Sequence, residues 1–545
     1  MDKYTELETE KRKYTEAILN SDSGKKIIVA GPGTGKSSIF QEICRDNLKK
    51  GKTKNLVLSF INELVDDLRL DLHNLAEVKT LHSFALANIP KNKNIFMDLG
   101  LVIEDDYEIV YNKKIDYKKL LCNLIDSKDD LEFYSKRRKY YDHFGPDCSI
   151  YTLIKIFEQD KSKIPEYSQI LIDEFQDFNK LEAKLIDLLS FKNPLLIVGD
   201  DDQSLYSFKH ANPNEIRLKC KDGNYSFFEL PFCFRCTEVI VNAFDSVVAK
   251  AKEKGFLKER LNKKYRYYSS PEKDKVSSEN PKIIVKKEVY QKSVAYYIDQ
   301  EIKTLFHPRQ QRSVLIICSL KKQIPDLVER LHEKGFNNIQ APQKSEKLQL
   351  LDGFKLLLKN KECNLGWRIV AKYILSDRDK FNNIIKESHD KNEEVKFKDL
   401  LNKDIIDYVD SILITLNKIN DNNKVFTDEY AKIIECFKYD HHAIVNEKLK
   451  NELDMEFGQK NIYSKVPIKI TTILGSKGLT SDYVFFVNFD DKYILDKDKK
   501  ITDENICKYL VALTRAKRRI YIYTGESRLP TFVEWTNNKF YEVVK

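Results

Sequence analysis

Residues 30–38 read AGPGTGKSS and directly follow the apolar run at 27–29. A strand, a glycine-rich turn and a lysine that opens a helix form a loop whose backbone N–H groups can surround phosphate oxygens. This order favours an α/β domain with a parallel sheet, and a chance glycine turn is the alternative. In such a loop Lys36 reaches the outer phosphates and Ser37 holds Mg²⁺. The predicted cofactor-binding residues of the loop are Gly31, Pro32, Gly33, Thr34, Gly35, Lys36, Ser37 and Ser38.

The bulk composition indicates a soluble, mildly basic protein of several domains. The chain has 545 residues, of which 42% are hydrophobic and 32% charged, and its formal net charge is +9. This charge is compatible with a nucleic-acid partner but does not require one. The N-terminus has no apolar signal core, and no apolar run reaches the roughly 18 residues of a membrane span. We therefore expect a cytoplasmic protein with no membrane partner.

The ten cysteines indicate reduced thiols in a cytosolic protein. Cys233 and Cys236 alone have the spacing of metal ligands, and no second pair of cysteines or histidines follows them closely. A zinc site at this pair is the less favoured alternative.

Apolar segments of strand length occur in two groups along the chain. Those of the first group lie at 26–29, 55–60, 169–172 and 194–198. Those of the second group lie at 313–319, 469–472, 483–487 and 519–523. Helical patterns at 36–49 and 62–75 follow the first two strands, which predicts a parallel sheet with crossover helices. Polar helical stretches at 88–160 and about 350–462 predict two insertions, and 268–281 predicts an exposed loop.

Two carboxylates end the predicted strand at 169–172. In a phosphoryl-transfer site, Asp173 would coordinate Mg²⁺ through water, and Glu174 would orient and deprotonate the attacking water. A solvated acidic pair is the alternative when the pair is considered alone.

A second strand, at 194–198, runs into the acidic turn GDDDQS at 199–204. The amide of Gln203 can donate to a γ-phosphate and accept elsewhere, so it can report hydrolysis to neighbouring elements. Tyr206 and Phe208 offer flat faces for stacking. A surface acidic turn with two core aromatic residues is the alternative.

Two clusters combine basic and aromatic side chains, at 134–141 and at 260–268. Both have the composition expected for phosphate and base contact. A solvated charged face is the favoured alternative for each.

The segments at 30–38, 173–177 and 199–204 resemble three ATPase motifs of superfamily 1 DNA helicases of the UvrD/Rep type. Five further segments resemble other motifs of this family in the same order along the chain, at 58–62, 80–84, 230–235, 472–479 and 511–516. The resemblance extends from residue 26 to about residue 524, and the two insertions show no specific match.

The resemblance implies an α/β fold with two RecA-like parallel-sheet motor domains and two mainly helical insertions. The first motor domain would comprise 1–87 and 161–228, and 88–160 would be its insertion. The second would comprise 229–349 and 463–545, and 350–462 would be its insertion.

The resemblance also assigns roles to residues outside the phosphate loop. Phe234 matches the aromatic residue that stacks on adenine, Arg235 a phosphate-binding arginine and Arg515 an arginine finger, and Gly478 falls in a nucleotide-site segment. The expected catalytic residues are Lys36, Asp173, Glu174, Gln203, Arg235 and Arg515. The expected DNA contacts, by stacking or at the edge of the track, are Phe60, Asn62, Thr80, His82, Tyr206 and Phe208, for several of which core packing is the alternative.

Several positions depart from the family pattern. The first glutamine in the chain is Gln41, so no residue matches the glutamine that reads adenine upstream of the loop. Leu474 stands where the family has histidine, Thr480 where it has a ribose-contacting glutamate and Cys233 where it has asparagine. These departures put base selectivity and the coupling of hydrolysis to movement in doubt.

The leading expectation is a helicase or translocase that uses ATP and Mg²⁺, moves 3′ to 5′ on single-stranded DNA and unwinds duplex DNA. It could serve as the helicase subunit of a multi-protein DNA-repair or anti-phage system. The alternative is an ATP-gated DNA-binding or scaffold subunit that hydrolyses weakly and signals to a partner such as a nuclease. An RNA helicase is a more remote alternative.

Overall fold

The computed structural model describes residues 3–59, 62–89, 94–205, 211, 213–305, 312–342, 348–421, 443–457, 467–496 and 499–544. The chain forms two compact units, each assembled from segments distant in sequence. The first unit comprises Met1–Phe84, Ile154–Gln343 and Ile462–Lys545. The second comprises Ala85–Leu153 and Lys344–Asn461. The boundaries predicted for the four domains stay a prediction.

The first unit contains two parallel sheets, as the predicted α/β fold class requires. The first sheet has the order β3-β2-β4-β5-β1-β6. Its strands are β1 Lys25–Ala30, β2 Asn55–Ser59, β3 Glu77–Thr80, β4 Gln169–Ile172, β5 Leu195–Gly199 and β6 Ser226–Leu230. Every residue of β2 and β5 is buried, because helices cover both faces of a parallel sheet.

The second sheet has the order β11-β12-β10-β13-β14-β9-β15, and its pairings are parallel. Its strands are β9 Ile283–Lys286, β10 Val314–Cys318, β11 Ile339–Gln340, β12 Ile468–Thr472, β13 Ser481–Val487, β14 Ala516–Tyr523 and β15 Tyr541–Val544. Two short strands, β7 Phe232–Cys233 and β8 Arg266–Tyr267, pair with each other outside both sheets.

The helices of the first unit include those that connect the parallel strands. They are α1 Lys3–Leu19, α2 Lys36–Lys49, α3 Asn62–Asp71, α9 Lys180–Leu189, α10 Asn214–Lys221, α11 Glu238–Glu253, α12 Pro271–Glu279, α13 Gln291–Leu305, α14 Ile324–Glu333, α20 Asp491–Ile494, α21 Asp503–Leu513 and α22 Thr531–Trp535. Helices α4 Leu81–Asn88 and α8 Pro146–Gln159 cross the boundaries of the units.

The helices of the second unit fall in the two stretches predicted to be helical insertions, which confirms their helical character. They are α5 Leu99–Tyr111, α6 Tyr117–Cys122, α7 Lys128–Tyr141, α15 Leu350–Lys359, α16 Asn364–Ile374, α17 Arg378–Lys391, α18 Lys403–Asp421 and α19 Ala443–Phe457. Among the described residues, no helix has both the length and the apolar character needed to cross a bilayer.

The exposed loop predicted at 268–281 is wrong, because helix α12 forms inside it. The Ser270 side chain accepts a hydrogen bond from the Lys273 backbone N–H and so caps the helix. Pro271 occupies the first turn, where its fixed φ suits a helix and its missing N–H has no cost.

The basic-aromatic cluster at 134–141 is organised around a buried ionic contact. Arg137 is fully buried on α7 and donates to Asp106 of α5 over 2.6 Å. Arg368 of α16 donates to the same carboxylate over 2.8 Å, so Asp106 joins both halves of the second unit. The two arginines outweigh burial and hold the pKa of Asp106 below its usual value. Arg137 therefore lies neither on a phosphate-contacting face nor on a solvated one.

Candidate functional site

The glycine-rich loop between β1 and α2 has the backbone of a phosphate cradle. Gly33 and Gly35 have φ values of 72° and 88°, in the left-handed region that glycine adopts without strain. Thr34 closes the turn by donating to the Gly31 carbonyl over 2.9 Å. Helix α2 begins at Lys36, so its first N–H groups, which have no intrahelical acceptor, face the loop. The loop can therefore hold an anion with backbone donors.

Residues that follow β6 in the chain contact this loop. The Phe234 N–H donates to the Gly33 carbonyl over 2.8 Å, and the Tyr265 hydroxyl donates to the Pro32 carbonyl over 2.9 Å. A Cβ on Gly33 would lie 2.5 Å from the Arg235 Cβ. Only glycine therefore fits at position 33. The contact made by Tyr265 was not predicted, because no motif in the surrounding sequence indicates it.

The carboxylates that follow β4 are buried beside the loop lysine. Asp173 and Glu174 are 6% and 8% exposed, so they do not form a solvated pair. Lys36 Nζ lies 2.5 Å from Glu174 Oε1, and the Gln176 amide donates to Glu174 Oε2 over 2.6 Å. The structure thus brings Lys36 of α2 and the acidic strand end into direct contact.

The pKa values of the acids at this strand end shift in different directions. Burial and the neighbouring Glu174 charge raise the pKa of Asp173. Burial acts on Glu174 too, but the charges of Lys36 and Lys477 outweigh it and lower the pKa of Glu174. Burial raises the pKa of Asp177 to about 7. Glu174 is therefore ionised at neutral pH, as a proton acceptor must be.

The donor set of this strand end fits a Mg²⁺ ion. Asp173 Oδ1 is buried and has no hydrogen-bond donor among the residues that the structure describes. Carboxylate and hydroxyl oxygens are the protein ligands that Mg²⁺ prefers. Asp173 and the Ser37 hydroxyl are the residues that would hold it.

The acidic turn at 200–203 is buried, so it is not a surface turn. Asp200, Asp201 and Asp202 are each at most 2% exposed. The Gln203 amide donates to Asp200 Oδ2 over 2.7 Å. Its Oε1 accepts from the Arg515 guanidinium over 3.3 Å. Gln203 thus bridges the end of β5 in the first sheet and the start of β14 in the second.

The two predicted arginines lie on the second-sheet side of this bridge. Arg515, 2% exposed, donates from Nε to the Val511 carbonyl over 2.9 Å. Arg235 donates to the Thr514 carbonyl over 3.4 Å. Burial and the Arg235 charge lower the pKa of Arg515 to about 10, so it remains protonated at neutral pH. Both guanidinium groups are fixed by backbone carbonyls near Gln203.

A lysine of the segment that contains Gly478 makes a further contact between the sheets. Lys477 donates to the Asp177 carboxylate, and also to the Gln203 carbonyl over 2.5 Å. Gly478 follows with a φ of 80°. Lys477 was not singled out from the sequence, although it lies within the 472–479 motif.

The aromatic residue predicted to stack on adenine has two neighbours. The Phe234 ring lies 4.5 Å from the Tyr268 ring, between centroids. Lys11 Nζ of α1 lies 5.4 Å from the Phe234 centroid, within the range of a cation–π contact. A lysine of α1, and not a glutamine, thus lies next to this aromatic residue.

Comparison with known proteins agrees with this arrangement. The family model of an AAA domain matches residues 15–209. The protein is 24% identical over 531 residues to "Gabija protein GajB" of Bacillus cereus (strain VD045), covering 94% of this chain and 95% of that one. It is 23% identical over 614 residues to "ATP-dependent DNA helicase Rep" of Buchnera aphidicola subsp. Acyrthosiphon pisum, covering 92% of each. It is 26% identical over 374 residues to "ATP-dependent DNA helicase PcrA" of Staphylococcus aureus (strain NCTC 8325 / PS 47), covering 57% of this chain and 49% of that one.

The AAA-domain match and the similarity to these named helicases support the resemblance to UvrD-like superfamily 1 helicases that the motifs indicated. The carboxyl ends of the parallel strands are where an open α/β fold binds its ligands.

The predicted DNA contacts that the structure describes follow or end first-sheet strands. Thr80 ends β3, and its hydroxyl accepts from the Ser83 N–H over 3.1 Å, which leaves it 9% exposed. The His82 side chain is 28% exposed and lies 3.9 Å from Glu182. Asn62 begins α3. The remaining predicted contacts lie outside the described residues: Phe60, Tyr206 and Phe208.

A cavity of about 740 Å³ opens at the carboxyl ends of β9, β10, β13 and β14 in the second sheet. Its lining includes Tyr290, Lys322, Lys492 and Tyr493, and also Asp490, which pairs with Lys492 over 3.4 Å. Cationic and aromatic side chains at one strand edge suit a nucleic-acid backbone and its bases. These residues were missed because they are scattered over 200 positions and no motif marks them.

The second basic-aromatic cluster, at 260–268, contains buried residues rather than a continuous exposed face. The side chains of Arg260 and Lys263 are 5% and 3% exposed, and both form ion pairs with the acidic turn at 200–202. These two residues therefore form neither a face for phosphate and base contact nor a solvated charged face.

Proposed function

We propose that this chain hydrolyses ATP with Mg²⁺ and uses the hydrolysis to move 3′ to 5′ along single-stranded DNA, unwinding duplex DNA as it moves. The observation that carries the proposal is the bridge through Gln203. Gln203 is bonded to Asp200 at the end of β5 and to Arg515 at the start of β14. Lys36 contacts Glu174 at the end of the neighbouring strand β4. A site assembled from two sheets can couple a change at a phosphate to a movement between them.

Each residue at this site has a chemical task in phosphoryl transfer. Lys36 neutralises charge on the outer phosphates, and Glu174, ionised beside it, accepts the proton of the attacking water. Arg515 stabilises the charge that spreads over the transferring group. Mg²⁺, when bound, neutralises phosphate oxygens as a Lewis acid.

Gln203 accounts for the coupling. Its amide can sense the presence of a terminal phosphate while its oxygen accepts from Arg515. Loss of that phosphate would change the balance of hydrogen bonds at Gln203, and Arg515 and Lys477 would carry the change to the second sheet.

The nucleic-acid track is proposed along the strand ends of both sheets. His82 and Thr80 supply the first part, and the lysine- and tyrosine-lined cavity of the second sheet supplies another. A motor that binds the strand with each of two parts in turn needs two binding surfaces, and these two lie on separate sheets. The similarity to the proteins named DNA helicase Rep and PcrA favours DNA over RNA as the ligand.

A second candidate function follows from one departure from the family pattern. Leu474 packs against the apolar core of the second sheet, where the family has a histidine. An apolar side chain cannot donate to a phosphate, so hydrolysis can be slow and loosely coupled. The second candidate is an ATP-gated DNA-binding subunit that signals to a protein partner, for example a nuclease.

An ATPase assay run beside an unwinding assay separates these candidates. We expect single-stranded DNA to raise the ATPase rate at least about tenfold in the purified chain, because strand binding orders the closed site. A duplex with a 3′ tail should unwind and one with a 5′ tail should not. The Lys36→Ala variant is the inactive control.

The contradicting outcomes are specific. ATP hydrolysis without unwinding of either duplex would favour the gated subunit. A rate that single-stranded DNA leaves unchanged, or that RNA alone raises, would contradict a DNA motor.

A further inference from the structure

A strap of chain at 257–265, between α11 and β8, holds the acidic turn that carries Gln203. At one end the Leu257 N–H donates to Asp503, the first residue of α21, over 2.9 Å. At the other end the Tyr265 hydroxyl donates to the Pro32 carbonyl of the phosphate loop. The strap thus runs from the helix that precedes Arg515 to the loop that contains Lys36.

The middle of the strap supplies countercharge for three buried carboxylates, and Arg217 of α10 adds an ion pair with Asp201 over 3.1 Å. Lys263 Nζ pairs with Asp200, and lies 2.7 Å from Asp201 Oδ1 and 2.9 Å from Asp202 Oδ2. Arg260 pairs with Asp202 over 2.8 Å. Three adjacent carboxylates without such partners would repel one another strongly in a site shielded from water.

The position of Gln203 depends on one of these carboxylates. Asp200 accepts from the Gln203 amide over 2.7 Å, and its backbone N–H donates to Gln176, which in turn donates to Glu174. Lys263 contacts Asp200 directly. A chain of contacts therefore leads from Lys263 through Asp200 to Gln203, whose oxygen faces Arg515.

We propose that Lys263 is a positioning residue for ATP hydrolysis, which fixes the Gln203 amide against Arg515 by holding the Asp200 carboxylate. The inference rests on the proposed ATPase function and adds to it a residue that touches neither phosphate nor water. Loss of Lys263 is therefore expected to lower the rate of ATP hydrolysis and to leave the phosphate loop that binds ATP intact.

The test replaces Lys263 with methionine, which has a similar length and no charge. We expect kcat for ATP to fall about tenfold, equal to about 1.4 kcal/mol in the barrier, while KM for ATP changes less than about twofold. The matched control is Lys258→Met, because Lys258 is an exposed lysine of the same strap; its kcat should equal that of the wild type. Lys263→Gln, which keeps hydrogen-bonding capacity, replaces Lys263→Met if that variant does not fold.

A double-mutant cycle distinguishes positioning from general damage. If Lys263 acts through Gln203, then Lys263→Met should cost almost nothing further in a Gln203→Ala background. An equal loss in both backgrounds would overturn the proposal, as would an unchanged kcat in Lys263→Met.

A crystal structure of Lys263→Met gives a readout that does not need activity. The Gln203 amide should move away from Arg515, beyond the roughly 3.5 Å limit of a hydrogen bond. An amide still bonded to both Asp200 and Arg515 would overturn the proposal. A wild-type chain that does not hydrolyse ATP would refute the proposed function instead, and the crystal structure would still show whether Lys263 holds Gln203 in place.

Discussion

Glu174→Gln is expected to lower kcat for ATP hydrolysis by roughly 10²- to 10⁴-fold, the usual contribution of a general base. The change removes the proton acceptor and keeps the shape of the side chain. It also removes the ion pair that joins Glu174 to Lys36 over 2.5 Å. Because the glutamine still fills the site, we expect ATP binding to be retained. Single-turnover hydrolysis and equilibrium nucleotide binding, measured on the same preparation, check both parts.

The matched control for this variant is Glu166→Gln. The Glu166 side chain is 77% exposed, so losing its charge should leave kcat unchanged. A Glu174→Gln protein that turns over ATP at more than about half the wild-type rate would show that another group accepts the proton.

Arg515→Ala is expected to lower kcat by about 10³-fold or more, the scale found for arginine fingers, or about 4 kcal/mol in the barrier. The guanidinium is 2% exposed and protonated at neutral pH, so its charge acts through little water. Its fixed place beside Gln203 means that it need not reorganise during the reaction. KM for ATP should change far less than kcat. Steady-state kinetics over a range of ATP concentrations measures the two effects separately.

Two further variants make the test of Arg515 sharper. Arg518→Ala removes a guanidinium three positions away that pairs with Asp482, and it should leave kcat within about twofold. Arg515→Lys keeps the charge but loses the planar fork, so an intermediate rate is expected. A loss of ATP binding equal to the loss of turnover in Arg515→Ala would contradict a transition-state role.

The placement of the candidate site was predictable because its residues follow the ends of parallel strands. Lys36, Glu174 and Gln203 each lie just after an apolar strand, and the carboxyl ends of parallel strands meet at one edge. The short motifs therefore carried enough information to place these residues in one region without knowledge of the packing. The α/β class and the helical insertions followed from the same periodicity.

The contacts that support the site were not predictable in this way. Tyr265 reaches a carbonyl 233 positions away, and Lys263 pairs with acids about 60 positions away. Neither residue belongs to a pattern whose spacing reflects those distances. The basic-aromatic composition of 260–268 suggested exposure, whereas tertiary packing buries its Lys263 against carboxylates.

At two places a local sequence pattern indicates the structure that forms. Ser270 and Pro271 form a helix start, yet the polar composition of the segment favoured a loop. Arg137 lies on one face of α7 with Phe133, Tyr134, Tyr140 and Tyr141, and all five are buried. A charged residue on an otherwise aromatic helix face indicates a buried partner, which here is Asp106.

The most direct test of a single site shared by both sheets is a crystal structure of the chain with Mg²⁺, ADP and aluminium fluoride, a mimic of the transferring phosphoryl group. We expect Lys36 Nζ and the Arg515 guanidinium both to lie within about 3 Å of the fluoride atoms. A structure in which the mimic is bound at the loop while Arg515 stays beyond about 3.5 Å from it would contradict that claim.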